Sequence, residues 1–114
     1  MQKLELSAVE DALQNFIDQT VYLHLETTNG AYANHFNEKV MTVNAFIRNT
    51  KVNISRATVT GKNPYRVGLK LEEGWVVAEG LTDFEIDDEN RLLLAGHNEE
   101  GKLAIALQLS HKPF

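Results

Sequence analysis

The chain has 114 residues, of which 43% are apolar and 24% are charged, and its net charge at pH 7 is −5. This length and balance predict one folded domain over residues 1–114 and exclude a chain that stays disordered. The acidic charge argues against a nucleic acid or an anionic membrane surface as the main partner. The absence of cysteine excludes disulfides, thiolate metal sites and thiol nucleophiles.

A single amphipathic helix is predicted near the N-terminus, at about residues 7–18. Ser7 and Glu10 have the spacing of a capping box, in which each side chain satisfies a free amide at the helix start. Apolar residues then recur at helical spacing, as expected of one buried face, at Val9, Leu13, Phe16 and Ile17.

After Thr20 the apolar period shortens to two, which predicts β-structure over about residues 20–110. In the first strand, Val21, Leu23 and Leu25 alternate with the polar residues Tyr22, His24 and Glu26. Asn29-Gly30 then predicts a type I′ hairpin, because such a turn needs a positive φ at both central positions. A second strand is expected at residues 31–36.

The later part of the chain predicts more short strands separated by turns. The alternation slips near Ser55 or Arg56, which predicts a β-bulge, and the apolar run Trp75–Ala78 predicts a central strand covered on both faces. About eight strands without intervening helices predict an all-β fold, a mostly antiparallel β-sandwich or flattened barrel, with one N-terminal α-helix.

A metal site is conceivable on the first hairpin. His24 and Glu26 have the i, i+2 spacing that puts two side chains on one strand face, and His35 lies across the predicted turn. These three residues are the predicted ligands of a zinc or other divalent ion. The alternative is an ordinary exposed strand face that carries solvated His and Glu.

An anion clamp is the second candidate site. Arg48 and Arg66 are both predicted on polar strand faces and could hold a carboxylate or a phosphate. The alternative for each is a cross-strand ion pair with an acid such as Glu79 or Glu85.

Trp75 is the third candidate ligand-binding residue. Together with Tyr65 and Phe84 it could line an apolar pocket. The alternative is that this tryptophan, the only one in the chain, anchors the core.

The sequence carries no phosphate-binding loop, dinucleotide fingerprint, nucleophile elbow or HExxH motif. The leading hypothesis is therefore a non-enzymatic binding or accessory protein, with its cofactors unknown. The alternative is a small metal-dependent hydrolase that uses the His24, Glu26 and His35 cluster, or His97, on the protein surface.

Several short segments resemble one known family along the whole chain. They are Phe16–Gln19, Pro64–Lys70, Glu73–Trp75, Glu79–Thr82, Asn90–Leu93, Ala95–His97, Gly101–Ile105 and Lys112–Phe114. On these segments the chain resembles the YojF-like family, small proteins of Bacillus-type bacteria that carry a domain of unknown function.

The resemblance implies a compact β fold and brings no catalytic or binding residue with it. Family members are often encoded beside a sugar-amide deacetylase of the low-molecular-weight thiol pathway, which implies an accessory role in that metabolism and such a deacetylase as a partner. A homodimer is also expected. The N-terminus lacks the pattern of a signal peptide and no segment has the roughly 20 apolar residues of a membrane span, so the expected location is the cytoplasm.

Overall fold

The computed structural model describes residues 1–28 and 44–114, which form two antiparallel sheets and one helix. The elements in chain order are β1 (Gln2–Lys3), α1 (Leu6–Gln14), β2 (Thr20–Thr28), β3 (Asn44–Asn53), β4 (Arg56–Gly61), β5 (Tyr65–Lys70), β6 (Trp75–Leu81), β7 (Asp83–Ile86), β8 (Leu92–His97) and β9 (Leu103–Ser110). The predicted Asn29-Gly30 hairpin, the strand at 31–36 and His35 lie outside the described residues.

The two sheets differ in size. The larger has the strand order β1-β7-β8-β9-β2-β3 and the smaller has the order β4-β5-β6. The sheets do not close into a barrel. The prediction of a mostly antiparallel β fold with an N-terminal helix is confirmed.

The helix begins and ends earlier than the sequence pattern indicates. Its N-cap is Glu5, whose carboxylate accepts hydrogen bonds from the backbone amides of Ser7 and Ala8 and from the Ser7 hydroxyl. The predicted cap at Ser7 is therefore wrong, because that side chain donates to Glu5 instead of closing the helix start. The hydrogen bond from Ser7 and then that from the Ala8 amide lower the pKa of Glu5.

The slip in alternation near Ser55 marks a change of sheet. β3 ends at Asn53 in the larger sheet, Ile54 is fully buried between the sheets, and β4 begins at Arg56 in the smaller one. The predicted bulge at this point is thus a corner. The β2–β3 ladder does contain an irregularity opposite Leu23–Leu25, where Asn49 on β3 has a φ of 59°.

The buried apolar residues form one cluster between the sheets, with side chains from α1, β2 and both sheets. β6 lies against β8 and β9, and α1 lies against β4. The backbones of the two sheets are in close contact where Gly96 on β8 faces Gly80 on β6. No described helix is long and apolar enough to cross a membrane.

The apolar run at Trp75 is at the edge of its sheet and is covered on one face only. β6 pairs with β5 alone among the described strands, and of the run only Ala78 is buried. The prediction of a central strand covered on both faces is wrong. The central strand of the smaller sheet is β5, whose Val67 and Leu69 are fully buried.

Candidate functional site

The side of the smaller sheet that faces away from the core carries the candidate site. Along each strand, residues alternate between the core and this side. We call the outward residues the outer face. They are Arg56, Thr58 and Thr60 of β4, Arg66, Gly68 and Lys70 of β5, and Trp75, Val77 and Glu79 of β6.

The strand register arranges the outer face in rows across the sheet. In the first row, Arg56 pairs with Lys70 and Lys70 pairs with Trp75. In the second row, Thr58 pairs with Gly68 and Gly68 with Val77.

Thr60 and Arg66 pair in the third row. The β5–β6 ladder is irregular between Tyr65 and Val67, beside this row. Arg66 nevertheless reaches β6, since its guanidinium lies 3.1 Å from a carboxylate oxygen of Glu79.

Trp75 leans from the first row over the second. It is 44% exposed, and a Cβ added to Gly68 would lie 3.5 Å from two carbons of its six-membered ring. The same Cβ would lie 3.0 Å from the Thr58 hydroxyl. Gly68 therefore leaves the space that the indole ring covers.

Two cations lie against the Trp75 ring. The Cζ of Arg56 is 5.3 Å and the Nζ of Lys70 is 5.7 Å from the ring centroid. Both distances are within the range of cation–π attraction, so the two side chains hold the ring from the first row.

A groove of about 480 Å³ opens beside the ring. Its walls are Thr58, Thr60, Arg66, Gly68, Trp75 and Val77. This volume is within the roughly 300–1,000 Å³ that is usual for small-molecule sites. The groove thus combines an aromatic wall, two hydroxyls and a guanidinium.

The outer face is basic although the chain is acidic. It carries Arg56, Arg66 and Lys70 against a single carboxylate, that of Glu79, in a chain of net charge −5. The nearby carboxylates of Glu72 and Glu73 line a separate cleft together with Lys51. The face therefore attracts anions.

The structure brings two of the predicted ligand-binding residues together and separates the third. Arg66 and Trp75 line the same groove, whereas Arg48 lies on β3 in the larger sheet. The predicted cross-strand pair of Arg66 with Glu79 is present.

The predicted partners of Trp75 do not join it. Phe84 is buried in the core on β7, and Tyr65 packs against the core cluster. The alternative of a core anchor is also wrong, because the ring lies on the outer face.

Sequence reasoning missed four polar members of the face. Arg56, Thr58 and Thr60 share one parity on β4, and Lys70 shares that of Arg66 on β5. This alternation was available in the sequence as a signal. The pairing that puts the two strands side by side was not.

The predicted metal ligands are placed only in part. His24 was expected on an exposed strand face, but it is 7% exposed and lies between the rings of Phe46 and Phe114, at centroid distances of 6.5 Å and 6.4 Å. Its Nε2 is 3.6 Å from a carboxylate oxygen of Glu26. Because His35 lies outside the described residues, the three-ligand site stays a prediction.

The described histidines do not converge. The register puts His24 level with Leu93 on β8, so His97 is about 13 Å further along the sheet and two strands away. His111 lies beyond the opposite end of β9. Over residues 1–28 and 44–114, no three side chains of His, Asp or Glu gather as a metal site would require.

His97 belongs to a separate polar cluster with Thr82 and Asp83. Its Nδ1 is 3.0 Å from an Oδ1 of Asp83, and the Thr82 hydroxyl donates to the same oxygen at 2.6 Å. The Thr82 hydroxyl also accepts from the His97 amide. The Thr82 hydrogen bond, followed by the contacts with His97, lowers the pKa of Asp83 against an opposing effect of desolvation.

A second groove, of about 430 Å³, lies between the end of α1 and the β7–β8 turn. His111 stacks on Phe16 there, with ring centroids 4.5 Å apart, and its Nε2 is 2.9 Å from the Asn15 carbonyl oxygen. These contacts tie the segment after β9 to the helix. They give His111 a structural role at this groove.

Fold and site together define a class: a small antiparallel β protein with two unequal sheets, an N-terminal helix and one exposed face that is aromatic and cationic. The chain belongs to the family described as Protein of unknown function (DUF1806), whose model matches residues 3–114. This membership confirms the resemblance read from the sequence.

Two relatives extend the match. The chain is 59% identical over 106 residues to the Uncharacterized protein YojF of Bacillus subtilis, covering 93% of this chain and 91% of that protein. It is also similar to the crystal structure of Bacillus subtilis YojF, with a TM-score of 0.83, 48% identity, and coverage of 99% of this chain and 95% of that one. Neither the family description nor these names assigns an activity.

Proposed function

We propose that this chain is a non-enzymatic binding protein of the cytoplasm that recognises its ligand through the outer face. The observation that carries the proposal is the exposure of Trp75 over Gly68, beside the basic groove. Tryptophan and arginine are the residue types that contribute most to recognition, and here they share one open face.

Packing of the fold does not explain why the outer face exposes large apolar side chains. A tryptophan usually gives its large apolar area to the core, but Trp75 and Val77 remain 44% and 39% exposed. An exposed apolar patch ringed by charged and polar side chains is typical of an interaction site. A ligand that covers the ring would bury this area.

Binding is favoured over the metal-dependent hydrolase because the described histidines lie apart. Hydrolysis needs a nucleophile or activated water, a base and an orienting group in mutual reach. His97 has an orienting partner in Asp83, but it is remote from His24 and His111. The outer face instead offers only groups that bind.

The proposed setting is an accessory role in low-molecular-weight thiol metabolism, with a sugar-amide deacetylase as protein partner. What supports this is the gene neighbourhood of family members. A second copy of the chain is the other proposed partner, supported by the exposure of Phe46 and Ile47 on β3. Mixing the purified deacetylase with this protein and measuring the mass of the complex by light scattering tests both partners.

The binding face is tested by nuclear magnetic resonance of the isotope-labelled protein, titrated with the small-molecule fraction of a Bacillus cytoplasm. Saturable shifts of amides on β4, β5 and β6 are the expected result. The Arg66→Ala variant should lose them, whereas the matched control Arg48→Ala, which removes an arginine from the other sheet, should retain them. Shifts confined to other strands, or equal loss in both variants, would contradict the proposal.

A further inference from the structure

We infer that the groove between Trp75 and Arg66 binds a small anion that contains a ring, of the sugar-phosphate or mononucleotide class. The inference rests on the proposed function and names the chemistry of its ligand. The ring stacks on the indole, and the phosphate pairs with the guanidinium.

The position of the ring follows from the row order of the sheet. Arg56 and Lys70 lie in the row of Trp75 and approach its ring, whereas the groove occupies the next two rows. Because Trp75 remains 44% exposed and lines the groove, part of its ring is available to a flat ligand. Gly68 also lines the groove, and a larger residue there would push against the Trp75 ring and the Thr58 hydroxyl that form its walls.

Two hydroxyls lie along the groove wall on β4. Thr58 is level with Gly68, and Thr60 is level with Arg66, so the hydroxyls are about 7 Å apart along the strand. Each hydroxyl donates and accepts hydrogen bonds. One can pair with a hydroxyl or heteroatom of the stacked ring, and the other with the phosphate held by Arg66.

The anion site is the guanidinium of Arg66. A planar guanidinium binds phosphate through two parallel hydrogen bonds, which a surface lysine does not match. Arg66 is now paired with Glu79 at 3.1 Å, but both side chains are more than half exposed, at 56% and 66%. Such a pair is weak, so a phosphate with two available oxygens can displace the carboxylate.

Charge selects the class of ligand further. Arg56 and Lys70 lie within 6 Å of the Trp75 ring and add positive potential to the groove. A neutral sugar would leave this potential unused, and a free phosphate would leave the indole uncovered. The groove is complementary to a molecule that has both parts.

The test is a titration with four probes: glucose 6-phosphate, AMP, glucose and inorganic phosphate. Trp75 is the only tryptophan, so its single indole N–H resonance reports the groove directly. At least one ring-bearing phosphate should bind about tenfold more tightly than either glucose or inorganic phosphate. Preference for glucose 6-phosphate or for AMP identifies the source of the ring, and either result supports the inference.

Three variants sharpen the test. Arg66→Ala should weaken binding of the preferred probe by about ten- to a hundredfold, as expected for a lost charged hydrogen bond. Arg48→Ala should leave it unchanged. Glu79→Gln should strengthen binding about threefold, because it removes the competing carboxylate.

The inference is wrong if neither glucose 6-phosphate nor AMP shows saturable binding. It is also wrong if inorganic phosphate binds as tightly as these two probes, or if Arg66→Ala and Arg48→Ala bind the preferred probe equally well. If the cytoplasmic fraction shifts outer-face amides while these probes do not, the ligand class is wrong and the binding face stands. If neither shifts them, both proposals fail.

Discussion

At Gly96 the backbone of β8 lies directly against that of β6, and Gly96→Ala is expected to destabilise the fold strongly. A Cβ on this residue would lie 2.0 Å from the carbonyl oxygen of Gly80 and 2.7 Å from the Cγ2 of Ile105. Heavy atoms in contact need on the order of 3.5 Å, so β6 and β8 would have to separate by about 1.5 Å at this point. The packing of the core between them would be lost locally.

The loss of stability in Gly96→Ala depends on whether the atoms that clash with the added methyl group can move. Overpacking of a core costs about 1–3 kcal/mol when side chains can move aside. Here the obstacle is backbone, which cannot rotate away, so the free energy of unfolding should fall by about 3 kcal/mol or more. Gly96 does not have a positive φ, and the effect is therefore steric and free of backbone strain.

Urea denaturation followed by far-ultraviolet circular dichroism measures this loss. The matched control is Gly74→Ala, since Gly74 has a φ of 84° but no atom within 4 Å of an added Cβ. Left-handed strain alone should cost it about 1–2 kcal/mol. If Gly96→Ala costs no more than Gly74→Ala, the reasoning from close backbone contact is refuted.

Substitutions at three further positions have expected effects on the free energy of unfolding, each measurable by denaturation. Trp75→Ala should cost about 1 kcal/mol, well below the roughly 3–5 kcal/mol lost when a buried tryptophan is truncated. A loss in that higher range would show that the ring stabilises the fold as a core residue does. Thr82→Val should cost about 1–2 kcal/mol at pH 7 by removing the hydrogen bond to Asp83. Because the pKa of Asp83 is lowered in the fold, its carboxylate stabilises the fold fully above the unfolded pKa of about 3.9, and this stabilisation is lost as the pH falls through the folded pKa. The difference in unfolding free energy between Thr82→Val and the unchanged protein should therefore shrink in acid. A difference that stays constant would contradict this role of the Thr82 hydrogen bond. Asn49→Ala should cost about 2–3 kcal/mol, since Asn49 has a φ of 59° and exchanges two hydrogen bonds with Phe114. Asn49→Gly should cost about 1 kcal/mol less, because glycine adopts a positive φ without strain. Equal costs for the two substitutions would show that backbone strain does not contribute.

The sequence predicts strands well where alternation is set by a single buried face. In β5, Val67 and Leu69 are fully buried as their period of two indicates. In β2 the period holds at Val21 and Leu23 but fails at His24, which is buried, and at Leu25, which is only half-buried. The period reports which side of a strand faces the core. It does not report which strand lies beside it, so the corner at Ile54 could be detected only as a slip in phase.

The run at Trp75 misled the sequence reasoning because apolar content and burial are separate properties. Four apolar residues in succession are typical of a strand covered on both faces, yet Trp75 and Val77 face outward here. The helix cap failed for a local reason. Glu5 reaches Ser7 and Ala8 before a Ser7–Glu10 box can form.

Arg66 and Trp75 were each predicted to bind a ligand, but by separate arguments. Arg66 was grouped with Arg48, and Trp75 was grouped with Tyr65 and Phe84. Their meeting in one groove depends on the pairing of β5 with β6, which leaves no trace in the sequence of either strand. The same pairing puts Glu79 within reach of Arg66. The candidate site is thus a property of strand order more than of any motif.

Gly68 and Gly96 both lack a side chain where something else comes close, and comparing them separates folding from recognition. At Gly96 the neighbour is the backbone of the opposite sheet, so the core itself requires glycine. At Gly68 an added Cβ would meet the side chains of Thr58 and Trp75, both of which are exposed on the outer face. Glycine at this position lets the Trp75 ring lie across the sheet, and the ring in that position forms a wall of the proposed binding groove.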